Sequence, residues 1–400
     1  MTFLPEAHEA LEEFMRQAVA DKTSLHIVGT GTKEKLGDMV TADASLSLAH
    51  LSGIVDYQPE ELIMVAKPGT RLDEITVALA EKKQMLAFEP ANLSFLYGAE
   101  HAGSVGGIIA ANLSGPRRIS AGAARDYLLG FTAVSGRGTS FTSGSRVMKN
   151  VTGYDLSKLI CGSMGTLAVM SELTLKVLPR PETSTTLSVK CAALAPAQKA
   201  LSAAFKSATE PSGGAITRAS SGALSLGDEP AAAHVRLEGV AQSVADRTST
   251  LCDVLAEFGR VSVLEQDASE ALWQDIRDIR ILDEAAEQVW KLSVTPSHVS
   301  EVITAITAQT VIRFFCDWAG GLIILSGAGE GLHQIVRSAV EAHGGGHASL
   351  LRAPDTMRGA IASFHPQPTA LAGLHDRIRQ SFDPLHLLNP GKMGSVSRDA

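Results

Sequence analysis

Leu11, Phe14, Met15 and Val19 recur at helical spacing among glutamates, which predicts an amphipathic helix within residues 1–20. A short apolar strand, His26-Ile-Val28, then runs into Gly29-Thr-Gly-Thr32. Further short strands are predicted over 46–48, 54–57 and 62–66, after which Lys67-Pro-Gly-Thr70 turns into a helix carrying Leu72, Ile75 and Leu79 on one face. Segments 128–135 and 139–142 flank Ser135-Gly-Arg-Gly138, a hairpin signal. A helix over 155–161 leads through a glycine turn into a long strand, 167–178, which Pro179-Arg-Pro181 stops.

From Thr186 the pattern changes to strand, helix (196–208), strand (214–218), strand (234–238), helix (242–258), strand (261–265). From Trp290 it repeats as strand (290–295), helix (297–308), strand (311–316), strand (321–326), helix (330–343), strand (347–352), with Gly320-Gly321 as a hairpin. Each half is β-α-β-β-α-β, so the middle reads as two ferredoxin-like units or one larger antiparallel sheet with helices on one face. Helices over 357–363 and 369–381 carry the chain back. The class is α+β, divided into a domain over 1–180, a cap over 181–365, and a tail over 366–400 that returns to the first domain.

The length of 400 residues leaves room for more than one core. A net charge of −8 argues against nucleic acid as a partner. The N-terminal helix has neither the basic start nor the apolar core of a signal peptide. No apolar run reaches the roughly 20 residues of a membrane span, the longest being broken by glycines. Cys161, Cys191, Cys252 and Cys316 lie far apart without a C-x-x-C pair, so no disulfide framework, iron–sulfur site or other metal site is written in the chain. A cytoplasmic location is the expectation.

Gly103-Ser-Val-Gly-Gly107 stands just ahead of Ile-Ile-Ala-Ala, which leaves backbone N–H groups bare at a helix start and suits a pyrophosphate. Gly29 to Thr32 is a second such loop, with Thr30, Thr32 and Ser104 adding hydroxyl donors. Neither loop follows the common nucleotide patterns. The third glycine of a dinucleotide fingerprint would fall on Glu34, and neither loop continues into Gly-Lys-Ser/Thr.

Together with Gly153-Tyr-Asp-Leu156, Gly162-Ser-Met-Gly-Thr-Leu167 and the closing Phe382-Asp-Pro384 and Leu388-Asn-Pro-Gly-Lys392, these loops resemble the vanillyl-alcohol oxidase and p-cresol methylhydroxylase (PCMH) family. The match is dense over 25–180, thin in the middle and returns at the end. Within the family the chain looks most like the branch acting on 2-hydroxy acids. The resemblance implies a PCMH-type FAD-binding domain followed by an antiparallel-sheet cap. It places FAD against Gly29, Thr30, Gly31, Thr32, Gly103, Ser104, Gly106, Gly107, Ser114, Gly115, Gly165, Thr166 and Val169, with Asn389 and Lys392 from the tail. Some relatives attach flavin through a histidine in the first loop; none stands there, which implies noncovalent FAD.

Oxidising a 2-hydroxy acid needs a base and an arginine for the carboxylate. The histidine-rich cap segment of full-length relatives is missing. His343-Gly-Gly-Gly-His347 has glycines where a rigid ligand pair is wanted, and Arg313, Arg352 and His365 are open candidates. No catalytic residue is assigned. Intact flavin motifs with a reduced cap are similar to the FAD-binding subunits of glycolate oxidase complexes. That resemblance implies a second, larger FAD-binding subunit and an iron–sulfur subunit as partners, glycolate oxidised to glyoxylate, and peripheral membrane contact through the complex. A self-sufficient 2-hydroxy-acid dehydrogenase and a flavin-retaining assembly subunit remain as alternatives.

Overall fold

The computed structural model describes residues 2–145, 154–282 and 285–394. Gly153 of the Gly-Tyr-Asp-Leu motif lies outside them. The chain forms two compact units: Met1–Ser114, Ala123–Arg180 and Pro366–Ala400 make one, and Gly115–Gly122 with Pro181–His365 make the other. The short excursion Gly115–Gly122 has no signal in the sequence pattern.

In the first unit the amphipathic helix is His8–Asp21. Its buried Leu11, Met15 and Ala18 share a core with Leu25, Leu46, Val134, Val169 and Leu388. Strands Thr2–Phe3, Ala44–Ser47 and Leu25–Val28 form a small parallel sheet. A five-stranded antiparallel sheet runs Ile54–Gln58, Ile63–Ala66, Ala168–Lys176, Leu128–Ser135, Ser140–Gly144. The expected long strand is its centre, and Leu173 and Leu175 are fully buried there, as a strand paired on both sides requires. Pro179 does not simply stop it: Leu178–Pro179 makes a two-residue pairing with Gln84–Met85.

The second unit answers the alternative left open by periodicity. Its two β-α-β-β-α-β halves join edge to edge into one eight-stranded antiparallel sheet. The order is Arg260–Leu264, Thr183–Cys191, Ala231–Gly239, Gly213–Arg218, Ile312–Asp317, Leu322–Gly327, Gln288–Val294, Gly346–Arg352. The halves meet where Ile216 pairs with Cys316. On one face Leu187, Val189, Val235, Trp290, Leu292 and Phe314 pack into a common core. Alternate residues point the other way, and along Thr183–Cys191 that face is polar. Ser184 and Thr186 bond Ser269 at 3.1 and 2.7 Å, and Trp273 Nε1 donates to Thr186 at 2.8 Å. Ser269 and Trp273 belong to helix Gln266–Arg277, which the apolar periodicity did not predict. It lies on the face opposite the aliphatic core. The helix expected over 357–363 is reduced to Asp355–Arg358.

Candidate cofactor site

Strand Leu25–Val28 delivers Gly29–Lys33 to a pocket also lined by Ser104, Gly107, Met164, Asn389 and Lys392. The tail holds this arrangement. Asn389 is 3 % exposed; its Oδ1 accepts from Ile27 N at 2.7 Å and its Nδ2 donates to Met164 O at 2.8 Å. Asn389 N donates to Leu25 O at 2.9 Å. Asn389 therefore acts as a clamp, and Gly165 is glycine beside it because a Cβ there would come 2.9 Å from Asn389 Nδ2. Lys392 Nζ donates to Glu34 O at 2.8 Å, tying the tail to the first loop.

The anion cradle differs from the sequence expectation in where its donors lie. In the second loop most N–H groups are spent: Gly103 N on His101 Nδ1 (3.0 Å), Val105 N on Thr70 O (2.9 Å), Gly106 N on Pro68 O (2.9 Å) and Gly107 N on the Ser104 hydroxyl (3.4 Å). Ser104 sits opposite Arg71 in a bridge whose bonds run from its neighbours, so its own N–H points away. Among the described residues, the N–H groups of Thr30, Gly31, Thr32 and Lys33 have no acceptor. The first loop is therefore the main donor nest. Gly106 serves packing instead: a Cβ there would lie 2.6 Å from Pro68 Cβ. At Gly103 (φ +93°) and Gly29, a Cβ would overlap Lys33 Nζ and Ser104 Oγ respectively. Gly103 is required by its left-handed backbone as well, whereas at Gly29 a turn of the Ser104 hydroxyl would relieve the overlap.

Two further observations suit an anion-binding site. The buried Thr30 Oγ1 has no hydrogen-bond partner. Lys33 Nζ donates to Thr32 Oγ1 and Ala102 O, each at 3.1 Å, and burial lowers its pKa to about 8. A desolvated ammonium beside bare N–H groups and an orphaned hydroxyl is suited to a pyrophosphate. The partly buried His26, whose pKa burial also lowers, was missed from the pattern; Lys33, half of a Lys33/Lys35 pair beside the first loop in the sequence, was not assigned to the site. The signal for Lys33 was its place directly after Gly-Thr-Gly-Thr.

The other expected residues lie apart from this nest. Thr166 Oγ1 donates to Ser163 O at 2.7 Å, and the Val169 side chain is in the core. Ser114 Oγ accepts from Ala124 N at 3.0 Å, while Gly115 belongs to the second unit and accepts the Trp318 indole N–H at 3.1 Å. In that unit His347 and His365 have ring centroids 5.8 Å apart, and His365 Nε2 is 3.5 Å from Glu341. Arg352 is at the opposite end of the same strand, across from Val289, and donates to Ala286 O. Arg313 is exposed. These candidates do not form one constellation. Among the described residues no group of histidine, cysteine and carboxylates could hold a metal, and no helix is long and apolar enough to cross a membrane.

The model of the FAD binding domain matches residues 1–144. Glycolate oxidase subunit GlcE of Escherichia coli K12 is 34% identical over 391 residues, covering 96% of this chain and 97% of that one. Glycolate oxidase subunit GlcD of Bacillus subtilis is 31% identical over 160 residues, covering 40% and 33%. Among solved structures, p-cresol methylhydroxylase with substrate bound has a TM-score of 0.72 at 13% identity, over 100% of this chain and 89% of that one. Alkyldihydroxyacetonephosphate synthase has 0.71 at 14%, over 97% and 76%. Fold and site thus define an FAD-linked oxidoreductase with a PCMH-type FAD-binding domain. Within that class, the chain belongs to the family of glycolate oxidase subunit GlcE.

Proposed function

We propose that this chain is the smaller flavin-binding subunit of a complex that oxidises glycolate to glyoxylate and passes the electrons to an iron–sulfur partner, beside a second, larger FAD-binding subunit. The observation that carries the reading is the nest of bare N–H groups at Thr30–Lys33 closed by the desolvated Lys33. The near full-length likeness to GlcE supports the substrate class. FAD, when bound, supplies the hydride acceptor. The chain's own residues do the rest. Thr30, Gly31, Thr32 and Ser104 donate to the pyrophosphate, Lys33 neutralises it, and Asn389 with Lys392 keeps the first loop in place.

Attachment is noncovalent, since the first loop, Gly29 to Lys33, contains no histidine to link the flavin. The four scattered cysteines suit an electron-accepting cluster carried by a partner rather than by this chain. Such a complex would work at the inner face of the membrane. The test is to purify the chain with and without its partners. All flavin should be released as FAD by acid precipitation, and glycolate should bleach it under anaerobic conditions only in the reconstituted complex. Rapid bleaching of the isolated chain would favour a self-sufficient 2-hydroxy-acid dehydrogenase. A complex indifferent to loss of this chain's flavin would favour an assembly role.

A further inference from the structure

Within the second unit, two cations gather around Trp318. Lys291 stands on strand Gln288–Val294 between Trp290 and Leu292, both fully buried, so alternation puts it on the face opposite the core they share, where it pairs with Ile324 and Ser349. Its Nζ is 5.1 Å from the centroid of the Trp318 ring, and the Arg118 guanidinium carbon is 4.5 Å from the same ring. Among the described residues no carboxylate, carbonyl or hydroxyl accepts a hydrogen bond from the Lys291 ammonium. Burial, with the Arg118 charge adding to it, lowers its pKa to about 8. A desolvated ammonium without an acceptor is costly to keep.

The backbone beside it is strained as well. Trp318, Ala319 and Gly320 have φ of +52°, +54° and +93°, and a left-handed non-glycine residue costs about 1–2 kcal/mol. The strain is held from three sides. Asp317 Oδ1 accepts from Trp318 N at 2.7 Å, Gln198 donates to Ala319 O at 3.0 Å, and the indole N–H donates to Gly115 O at 3.1 Å. Strain maintained by so many contacts marks a side chain placed for use. Lys291, Arg118 and Trp318 all keep partial exposure, so a small solute can reach them.

We infer that Lys291, Arg118 and the Trp318 indole form a binding site for a small organic carboxylate. The ammonium donates to a carboxylate oxygen, the Arg118 charge adds attraction, and the indole face takes the ligand's carbon skeleton. Identifying that carboxylate as the 2-hydroxy acid rests on the function proposed above; the site itself does not.

The test titrates the purified holoprotein with glycolate and follows tryptophan fluorescence. Trp273 and Trp290 are 2% and 0% exposed, so of the three indoles Trp318 is the one a solute reaches and the ligand-dependent change should come from it; Trp318→Phe assigns the signal. Glycolate should give a saturable change and uncharged ethylene glycol none. Lys291→Gln should weaken binding about tenfold or more without lowering the unfolding temperature, which separates loss of the site from loss of the fold. Wild-type affinity in Lys291→Gln would overturn the site, as would chloride or phosphate saturating it as tightly as glycolate. In the reconstituted complex the two readings separate. Glycolate bound without flavin reduction would sink the function and keep the site; flavin reduction by glycolate with no saturable Trp318 signal that Lys291→Gln weakens would sink the site and keep the function.

Discussion

Lys33 Nζ donates to the carbonyl of Ala102 at 3.1 Å, so the last residue of the first glycine loop is bonded to the residue that precedes the second. The two loops are far apart in sequence and are held together by this side chain. Gly103 leaves the room in which the ammonium sits.

Lys33→Met is expected to lower FAD affinity about tenfold or more, because a charge-assisted contact to pyrophosphate is lost. The same variant should be more stable than wild type when free of cofactor at neutral pH. The folded pKa, about 8, is below the ordinary 10.5; between those values the unfolded chain binds more protons, so cofactor-free wild type gains stability as pH rises through that window. The pyrophosphate raises the pKa again, so FAD affinity should decline above about pH 8. Titrations of FAD binding against pH, with denaturant melts of both proteins, check this; equal affinity in Lys33→Met would remove the lysine from the site.

Gly106→Val and Gly103→Ala should fail differently. At Gly106 the new side chain meets Pro68 Cβ at 2.6 Å and Pro68 O at 2.7 Å, and such overpacking costs about 1–3 kcal/mol. At Gly103 it displaces Lys33 from a backbone turn with φ +93°. Thermal unfolding should fall for Gly106→Val with FAD-free protein, while Gly103→Ala should chiefly lose FAD. Unchanged melting of Gly106→Val would contradict the packing role.

The glycine loops were legible because tight turns and close approach demand glycine whatever surrounds them. Lys33 was less so, since desolvation depends on neighbours such as Ala102. Strands and helices of the second unit follow apolar periodicity, yet helix Gln266–Arg277 was not legible in it. Its buried stripe, Ser269, Trp273 and Ile276, is short, and the helix stands outside the β-α-β-β-α-β repeat that the pattern followed; it meets the sheet through Ser269 and Trp273. Ile216 and Cys316 are both fully buried, as they would be in either arrangement, so alternation could not tell one sheet from two. Gly320-Gly321 marked the hairpin correctly but drew attention away from Trp318, the residue that carries the strain.

Asn389→Ala should release the tail. It removes an acceptor for the half-buried Ile27 N–H and a donor to Met164 O, and each group left unsatisfied costs up to about 1–3 kcal/mol. Because the clamp holds strand Leu25–Val28, limited proteolysis after Phe382 should accelerate and FAD affinity should drop together. Faster cleavage with unchanged FAD affinity would show that the tail does not position the first loop.

His234 should make the second unit acid-sensitive. Its Nδ1 and Nε2 bond Ser188 and Thr217 at 2.7 and 2.8 Å, and burial lowers its pKa to about 4 from 6.5. Between those values the unfolded chain takes up a proton that the folded chain refuses, so stability falls as pH drops through the window. A shift of that size corresponds to about 3 kcal/mol at most. His234→Gln cannot titrate; it should cost about 1–2 kcal/mol near pH 7 through weakened hydrogen bonds, and that deficit should shrink or reverse toward pH 4. Denaturant melts of both proteins at matched pH isolate this residue from the carboxylates they share. A deficit that stays constant with pH would mean that His234 is protonated in the folded sheet.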